Sequence, residues 1–361
     1  MVKLTTFQII LLAVFGACAV SGVLVFSFLV GGAKNSSVGA VTIWGTFDKQ
    51  SFDSVIAGLD DNDKSFDGVT YTQVDSASYE STLTNALANG SGPDLFIMRQ
   101  DSALQDYGKV VQTPYTEIPV SQFQGTFVPS TNVFLGADGV LAMPLVADPL
   151  VLYYNVDMLS SAGYSLPPRY WDELLAMSDK ITKKTDAGDI IKSTVALGEY
   201  DNVHDAKDIL AALIMQAGGQ IATVDTTSNR YQPALSIGAN GQATFAALSF
   251  FTQFSDPTKT SGYTWNHSLP DSQDSFAAGD LALYIGFASE RKAIAAKNPN
   301  LNFGIAALPQ IRRTADANDP DVSVARIYAI GISRTTRNYS GAKTIASLLA
   351  AAGGSQIVSS A

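Results

Sequence analysis

Between residues 41 and 98 the chain alternates short β-rich runs with amphipathic helical stretches, and that alternation restricts the fold more than any other feature. VTIW at 41–44 is the first run, followed by a Gly-Thr turn and a helical stretch over 49–59. Gly68 leads into a second run at 69–74. From Ser78 the spacing of Tyr79, Leu83, Ala86 and Leu87 puts four side chains on one helix face, and Asn89-Gly90 stops it. Pro93-Asp94 then opens a third run at 95–98. Strand, helix, strand, helix, strand is the signature of a parallel sheet covered by helices, an α/β fold.

The alternation continues. Strands are expected at 150–154, 281–285, 303–307 and 325–332, and helices at 171–181, 208–217, 244–254 and 340–351, with a short helical turn at 158–162. At 361 residues the chain exceeds what one ordinary core needs, so two lobes are expected. No internal repeat is present.

Residues 7–30 read FQIILLAVFGACAVSGVLVFSFLV without one charge. At the helical rise these residues reach about 36 Å, enough to cross a bilayer core of ~30 Å with tilt. A signal-peptide apolar region is shorter, so an uncleaved transmembrane anchor is the favoured reading over a cleaved signal or a lipoprotein modified at Cys18. Lys3 and Lys34 flank the run and barely discriminate its orientation. Residues 1–6 are then a cytoplasmic tail, and GGAKNSSVGA at 31–40 is small and polar, as a tether should be.

Charge excludes one class of partner. Residues 1–40 hold two lysines and no carboxylate, which leaves 21 basic against 33 acidic residues in 41–361, a net charge of −12. Such a surface repels phosphate backbones, and no basic stripe interrupts it, so nucleic-acid binding is not expected. Cys18 is the single cysteine, which rules out an intramolecular disulfide and a cysteine-based zinc site. His204 and His267 are the two histidines; neither has ligand spacing around it, and both read as loop residues. No nucleophile elbow, P-loop or dinucleotide fingerprint occurs, no catalytic set emerges, and neither a cofactor nor a metal is expected.

Four segments carry a resemblance. AMPLVADPLVLYYNVDML at 142–159 resembles the strand that crosses from the first to the second lobe in extracellular solute-binding proteins of ABC importers, the maltose- and sugar-binding type (family 1). GSGPDLFIM at 90–98 is similar to that family's helix-to-strand step, SFAAGDLALYIG at 275–286 to its Phe-x-x-Gly element, and FGIAALP at 303–309 to the strand before the last crossover. Each piece alone is weak, and four in order are specific. The resemblance runs from 41 to 361. The family usually continues some tens of residues past the helix at 340–351, so contacts from such a segment have no counterpart to name here.

The resemblance implies a periplasmic-binding-protein-like, two-lobed α/β fold of type II with hinge crossovers, preceded by the transmembrane helix. Lobe 1 would hold residues 41–147 and 272–325, and lobe 2 residues 148–271 and 326–361. A solute would be captured in a cleft at the C-terminal ends of the strands, where open sheets bind ligands, and hinge closure would present the loaded form to a permease. The implied protein is a monomer on the extracytoplasmic face, held to the membrane through residues 7–30. It would take a small polar solute, a mono- or oligosaccharide, to ABC permease subunits, and would not be an enzyme. A receptor of the same fold signalling to a membrane sensor and an anchored polysaccharide hydrolase are the alternatives.

The family's ligand contacts map onto particular residues. Asp48 and Lys49 follow the first strand where the family places a charged pair on sugar hydroxyls; the competing reading is a helix cap. Asp101 follows the third strand, although Ser102 stands where the family often has arginine. Asp148 sits in the crossover, where a carboxylate is costly unless it faces the cleft. Trp265, in the polar loop GYTWNHSLPDS, reads as an exposed stacking ring, whereas Trp171 reads as packing. Phe287 stands near a family tryptophan position, and Arg326 and Tyr328 lie near the last crossover.

Overall fold

The computed structural model describes residues 38–60, 64–225, 230–236, 238–259, 261–312 and 321–353. The expected anchor, tail and most of the tether lie outside the described residues. Among the described residues no helix is long and apolar enough to cross a membrane.

The expected alternation at the start of the chain forms as strands β1 (Val41–Gly45), β2 (Val69–Gln73) and β3 (Leu95–Arg99), joined by helices α1 (Lys49–Asp60) and α2 (Tyr79–Ala88). β1 pairs in parallel with both β2 and β3. Helix α1 buries Phe52, Val55, Ile56 and Leu59, the i, i+3, i+4, i+7 stripe of a helix laid on a sheet. The Phe52 ring stacks on Tyr71 of β2 at 4.1 Å between centroids. Gly90 closes α2 at φ +68°, a left-handed conformation that glycine adopts without a Cβ clash.

Strand β4 (Ala142–Asn155) is 14 residues long, far beyond the expected run at 150–154. Helix α3 (Glu173–Ile181), strand β5 (Ile190–Val195), helices α4 (Ala206–Gln216), α5 (Gly238–Thr252) and α6 (Ser272–Ala277) and strands β6 (Leu281–Phe287) and β7 (Phe303–Ala307) follow. Strand β8 (Ala325–Ile332) and helix α7 (Tyr339–Leu348) complete the described fold.

The described residues fall into two compact units: one takes in residues up to Val146 and from Ile327 onward, the other runs from Ala147 to Arg326. In the first unit β8 runs antiparallel to β3, with Tyr328 opposite Arg99 and Ile332 opposite Leu95. In the second, β6 and β7 each run antiparallel to β4, and β5 lies parallel to β6. The lobe boundaries read from the sequence therefore change. Strand β6 pairs with β4 and β5, which puts the segment from residue 272 with the second unit, and β8 pairs with β3, which puts Ile327 onward with the first.

The core of the second unit centres on rings and aliphatic side chains from β4, β6, α3, α4 and α6, among them Leu152, Tyr153, Met177, Ile209, Phe276 and Leu283. Phe276 of α6 packs against the rings of Tyr153, Tyr284 and Phe303 at 5.7–6.2 Å between centroids. Phe276→Ala is expected to lower the unfolding free energy by about 3–5 kcal/mol, the ordinary loss for a buried phenylalanine. Urea denaturation of the purified protein measures it, and a change below about 1 kcal/mol would contradict the packing described.

Candidate functional site

Each unit carries a polar set at the C-terminal ends of its parallel strands. In the first, β1 ends at Gly45 and the chain turns through Phe47 and Asp48 into α1. The Asp48 carboxylate accepts from the Ser51 backbone N–H at 2.8 Å, capping the helix. Lys49 donates to Asp53 at 2.7 Å and to the Tyr71 carbonyl at 3.0 Å while keeping its ammonium exposed. At the end of β3, Arg99 Nε donates to Asp101 Oδ1 at 2.9 Å, and the same guanidinium also bonds the hydroxyl of Tyr328. The Tyr328 ring rests on Phe47 at 4.9 Å. Four residues picked out in the sequence, Asp48, Lys49, Asp101 and Tyr328, thus fall at one edge of the first unit, tied by Phe47 and Arg99, two residues the sequence did not single out.

The second unit builds its set from β4, β6 and the start of β8. Asp148 is 7% exposed, and its two oxygens accept from the Ser289 N–H at 3.0 Å and the Ser289 hydroxyl at 2.7 Å. Burial pushes its carboxyl above the ordinary carboxylate range against the pull of those two bonds and of Arg326, with Glu290 adding to the rise. The Arg326 guanidinium lies 3.5 Å from the centroid of Phe287, donates to Asp205 Oδ1 at 2.9 Å and approaches Asp208 at 3.6 Å. Asp205 is pushed up to about 7, first by burial and then by Glu290, with Arg326 and His204 opposing. Glu290 accepts from the Phe287 N–H at 2.8 Å, from Gln273 at 2.8 Å and from the Tyr284 hydroxyl.

The expectation at Trp265 needs correction as to exposure. Trp265 is not an exposed loop ring: it is 1% exposed, its indole N–H donates to Asn202 Oδ1 at 3.0 Å, and it belongs to the core of the second unit. Phe287 is fully buried beneath Arg326, and its carbonyl accepts from the Tyr153 hydroxyl at 2.7 Å. Neither ring offers an open stacking face. Arg99, Asp205, Asp208, Ser289 and Glu290 were missed. The half-buried position of Glu290 follows from folding around Gly286, where a Cβ would lie 2.7 Å from Glu290 Oε2, and a glycine one turn before a glutamate is a faint signal by itself.

Residues 66–355 match the family model of bacterial extracellular solute-binding proteins, so the chain belongs to that family. A protein of Brucella abortus (strain 2308) named as a binding protein is 25% identical over 228 residues, 63% of this chain and 52% of its own length. The chain thus spans about half the length of the curated relatives it matches. A protein of Deinococcus radiodurans named as an ABC transporter-binding protein is 48% identical over 42 residues, 12% of this chain and 10% of its own. Among solved structures, an ABC transporter solute-binding protein of Thermotoga lettingae bound with α-D-tagatose superposes at a TM-score of 0.61 with 21% identity, covering 86% of this chain and 76% of that one. A Listeria monocytogenes ABC substrate-binding protein in complex with cycloalternan gives 0.61 with 16% identity, covering 86% and 75%. These two likenesses establish a shared fold.

The raised carboxyl of Asp148 fixes a sign with pH. The folded chain holds this proton more tightly than the unfolded chain does, so the stabilisation is intact below the ordinary carboxylate range and is lost as pH rises through the raised value. Relative to Asp148→Asn, which does not titrate, the natural chain is expected to lose stability as pH rises from the ordinary carboxylate range toward neutrality. Urea denaturation of both at several pH values in that range reads the difference, and parallel profiles would contradict it.

Proposed function

We propose that this chain is the extracytoplasmic substrate-binding component of an ABC importer, capturing a small polar solute, a mono- or oligosaccharide, by closure of its two units over it. The observation that carries the reading is that each unit gathers hydrogen-bonding side chains beside the C-terminal ends of its parallel strands, β1 and β3 in the first and β6 in the second, the place where open α/β sheets take ligands. In the first unit Lys49, Asp101 and Tyr328 supply donors and acceptors, with Asp48 beside them; in the second Asp148 and Arg326 do so. Carboxylates and a guanidinium fork match the vicinal hydroxyls of a sugar. Trp265 and Phe287 serve this reading as packing beneath the polar set, given their burial.

Family membership supports solute capture, and the sugars named with the Thermotoga and Listeria proteins support the carbohydrate class. A ligand that binds the closed form better than the open one shifts the population toward closure, which is the signal a permease would read. The uncharged run at 7–30 supports tethering to the membrane, with the remainder outside the cytoplasm as the family's extracellular description has it.

A thermal-shift screen of the purified chain in detergent, against monosaccharides, oligosaccharides, polyols and peptides, tests this. At least one carbohydrate is expected to raise the melting temperature, because a ligand of the folded state stabilises by mass action. Arg326→Ala and Tyr328→Phe are each expected to weaken that ligand by about 1–3 kcal/mol, roughly five- to 150-fold. If every carbohydrate leaves both the melting temperature and the small-angle scattering profile unchanged, the reading fails.

A further inference from the structure

His204, read from the sequence as an isolated loop histidine, has partners in the fold. Among the described residues, His204, Asp205 and Glu290 form a set whose ligand atoms all lie within 4.8 Å of one another. Two are neighbours at the start of α4, and the third arrives from the turn after β6.

The Asp205 side chain is 4% exposed. Its Oδ1 accepts from Arg326 at 2.9 Å, whereas Oδ2 is buried and receives no hydrogen bond. A buried carboxylate oxygen without a donor is rare and unfavourable, and it faces another acceptor, Glu290. Glu290 is held in place by the Phe287 N–H, Gln273 and the Tyr284 hydroxyl, and its approach requires the missing side chain of Gly286. Such outer hydrogen bonds orient ligating carboxylates in metal sites.

His204 is arranged in the same manner. Its backbone N–H donates to Ser272 Oγ at 2.9 Å, and ring Nδ1 lies 3.3 Å from Asp271 Oδ2. With Nδ1–H directed to Asp271, the lone pair of Nε2 is the one left for a cation, the carboxylate–histidine arrangement common behind metal-bound imidazoles. The ring is half-exposed, which gives an ion a way in from solvent. Four carboxylates, Asp205, Asp208, Asp271 and Glu290, share this corner with one guanidinium, Arg326, which leaves room for a doubly charged ion.

We propose that His204, Asp205 and Glu290 form a binding site for a divalent transition-metal ion, with zinc or manganese as the fitting class. One imidazole nitrogen and two carboxylates suit those ions; calcium and magnesium favour oxygen donors throughout. The fourth position is open to water. Because Asp205 holds Arg326 through its other oxygen, the ion would pin the guanidinium that the solute-binding reading uses, yet the site does not depend on that reading.

The full-length chain, stripped with EDTA and dialysed, is titrated with zinc chloride, manganese chloride and magnesium chloride by calorimetry, with melting followed in parallel. One equivalent of zinc or manganese is expected to bind and raise the melting temperature, with magnesium at least tenfold weaker. His204→Ala removes a half-exposed ring, so the fold persists (circular dichroism checks it) while metal affinity falls at least tenfold. Glu290→Gln is expected to weaken binding similarly. Cobalt should give a visible ligand-field band in the natural chain that is lost in His204→Ala. Absence of binding by zinc and manganese, or equal affinity in His204→Ala, overturns the proposal. Solute screens run in EDTA report on solute capture alone, so failure of one reading is distinguishable from failure of the other.

Discussion

Strand β4 has to satisfy two cores with one stretch of backbone, and the rest of the architecture is arranged around that constraint. Its 14 residues extend about 46 Å at a strand's rise per residue, against a usual length of about 5–6 residues. Five residues, Ala142 to Val146, belong to one unit and nine to the other. Ala142, Met143 and Leu145 are buried at one end and Leu150, Leu152 and Tyr153 at the other, with Ala147 and Pro149 exposed between them. Pro149 has no N–H, so this exposed stretch carries one donor fewer to be satisfied. Asp148 is the exception in that stretch: it is buried, and Ser289 takes both of its oxygens.

The first βαβαβ run was legible because each of its elements announces itself locally. The stripe of Phe52, Val55, Ile56 and Leu59 and the stop at Gly90 require nothing beyond neighbours in sequence. Strand β5 was not read at all, and its reason is physical. Its apolar residue Ile191 is exposed, while Ser193 and Thr194 are buried, so the polar pattern is inverted relative to a simple half-buried strand. The inversion is tolerated because Ser193 donates to the Thr264 carbonyl at 2.7 Å and the Thr194 hydroxyl lies 2.8 Å from that of Thr182. Those partners are 12 and 71 residues away, beyond the reach of any periodicity.

The site residues divide along the same line. Asp148 and Arg326 were suggested by the family pattern, and the structure places them in one unit with Ser289 and Phe287. Asp48 illustrates how a carboxylate after a strand is ambiguous: capping α1 and facing a solute ask for the same residue type at the same position. Trp265 misled because a loop rich in polar residues reads as exposed. Burial there is created by Phe254, whose carbonyl accepts from the Trp265 N–H at 3.1 Å, and by Asn202, which takes the indole N–H. A tryptophan with its one donor satisfied packs in a core as readily as a phenylalanine.

Arg326 draws these strands of argument together. Residues 41–361 are strongly acidic, and a single guanidinium among Asp205, Asp208, Asp148 and Glu290 would be screened and mobile if it were held by charge alone. It is held by shape as well, stacked 3.5 Å from the Phe287 centroid. Phe287 is itself fixed by burial, by the Tyr153 hydroxyl on its carbonyl and by Glu290 on its N–H. Arginine can exploit both partners because its fork is planar and delocalised, whereas a lysine ammonium in the same place would keep its charge contacts and lose the stack. Residues 205–208, the β6 end and the start of β8 thereby fix one donor fork in one orientation. A fork ordered in advance would spare any ligand that met it the entropy of ordering a long side chain, which an exposed Phe287 ring without the stack would not provide.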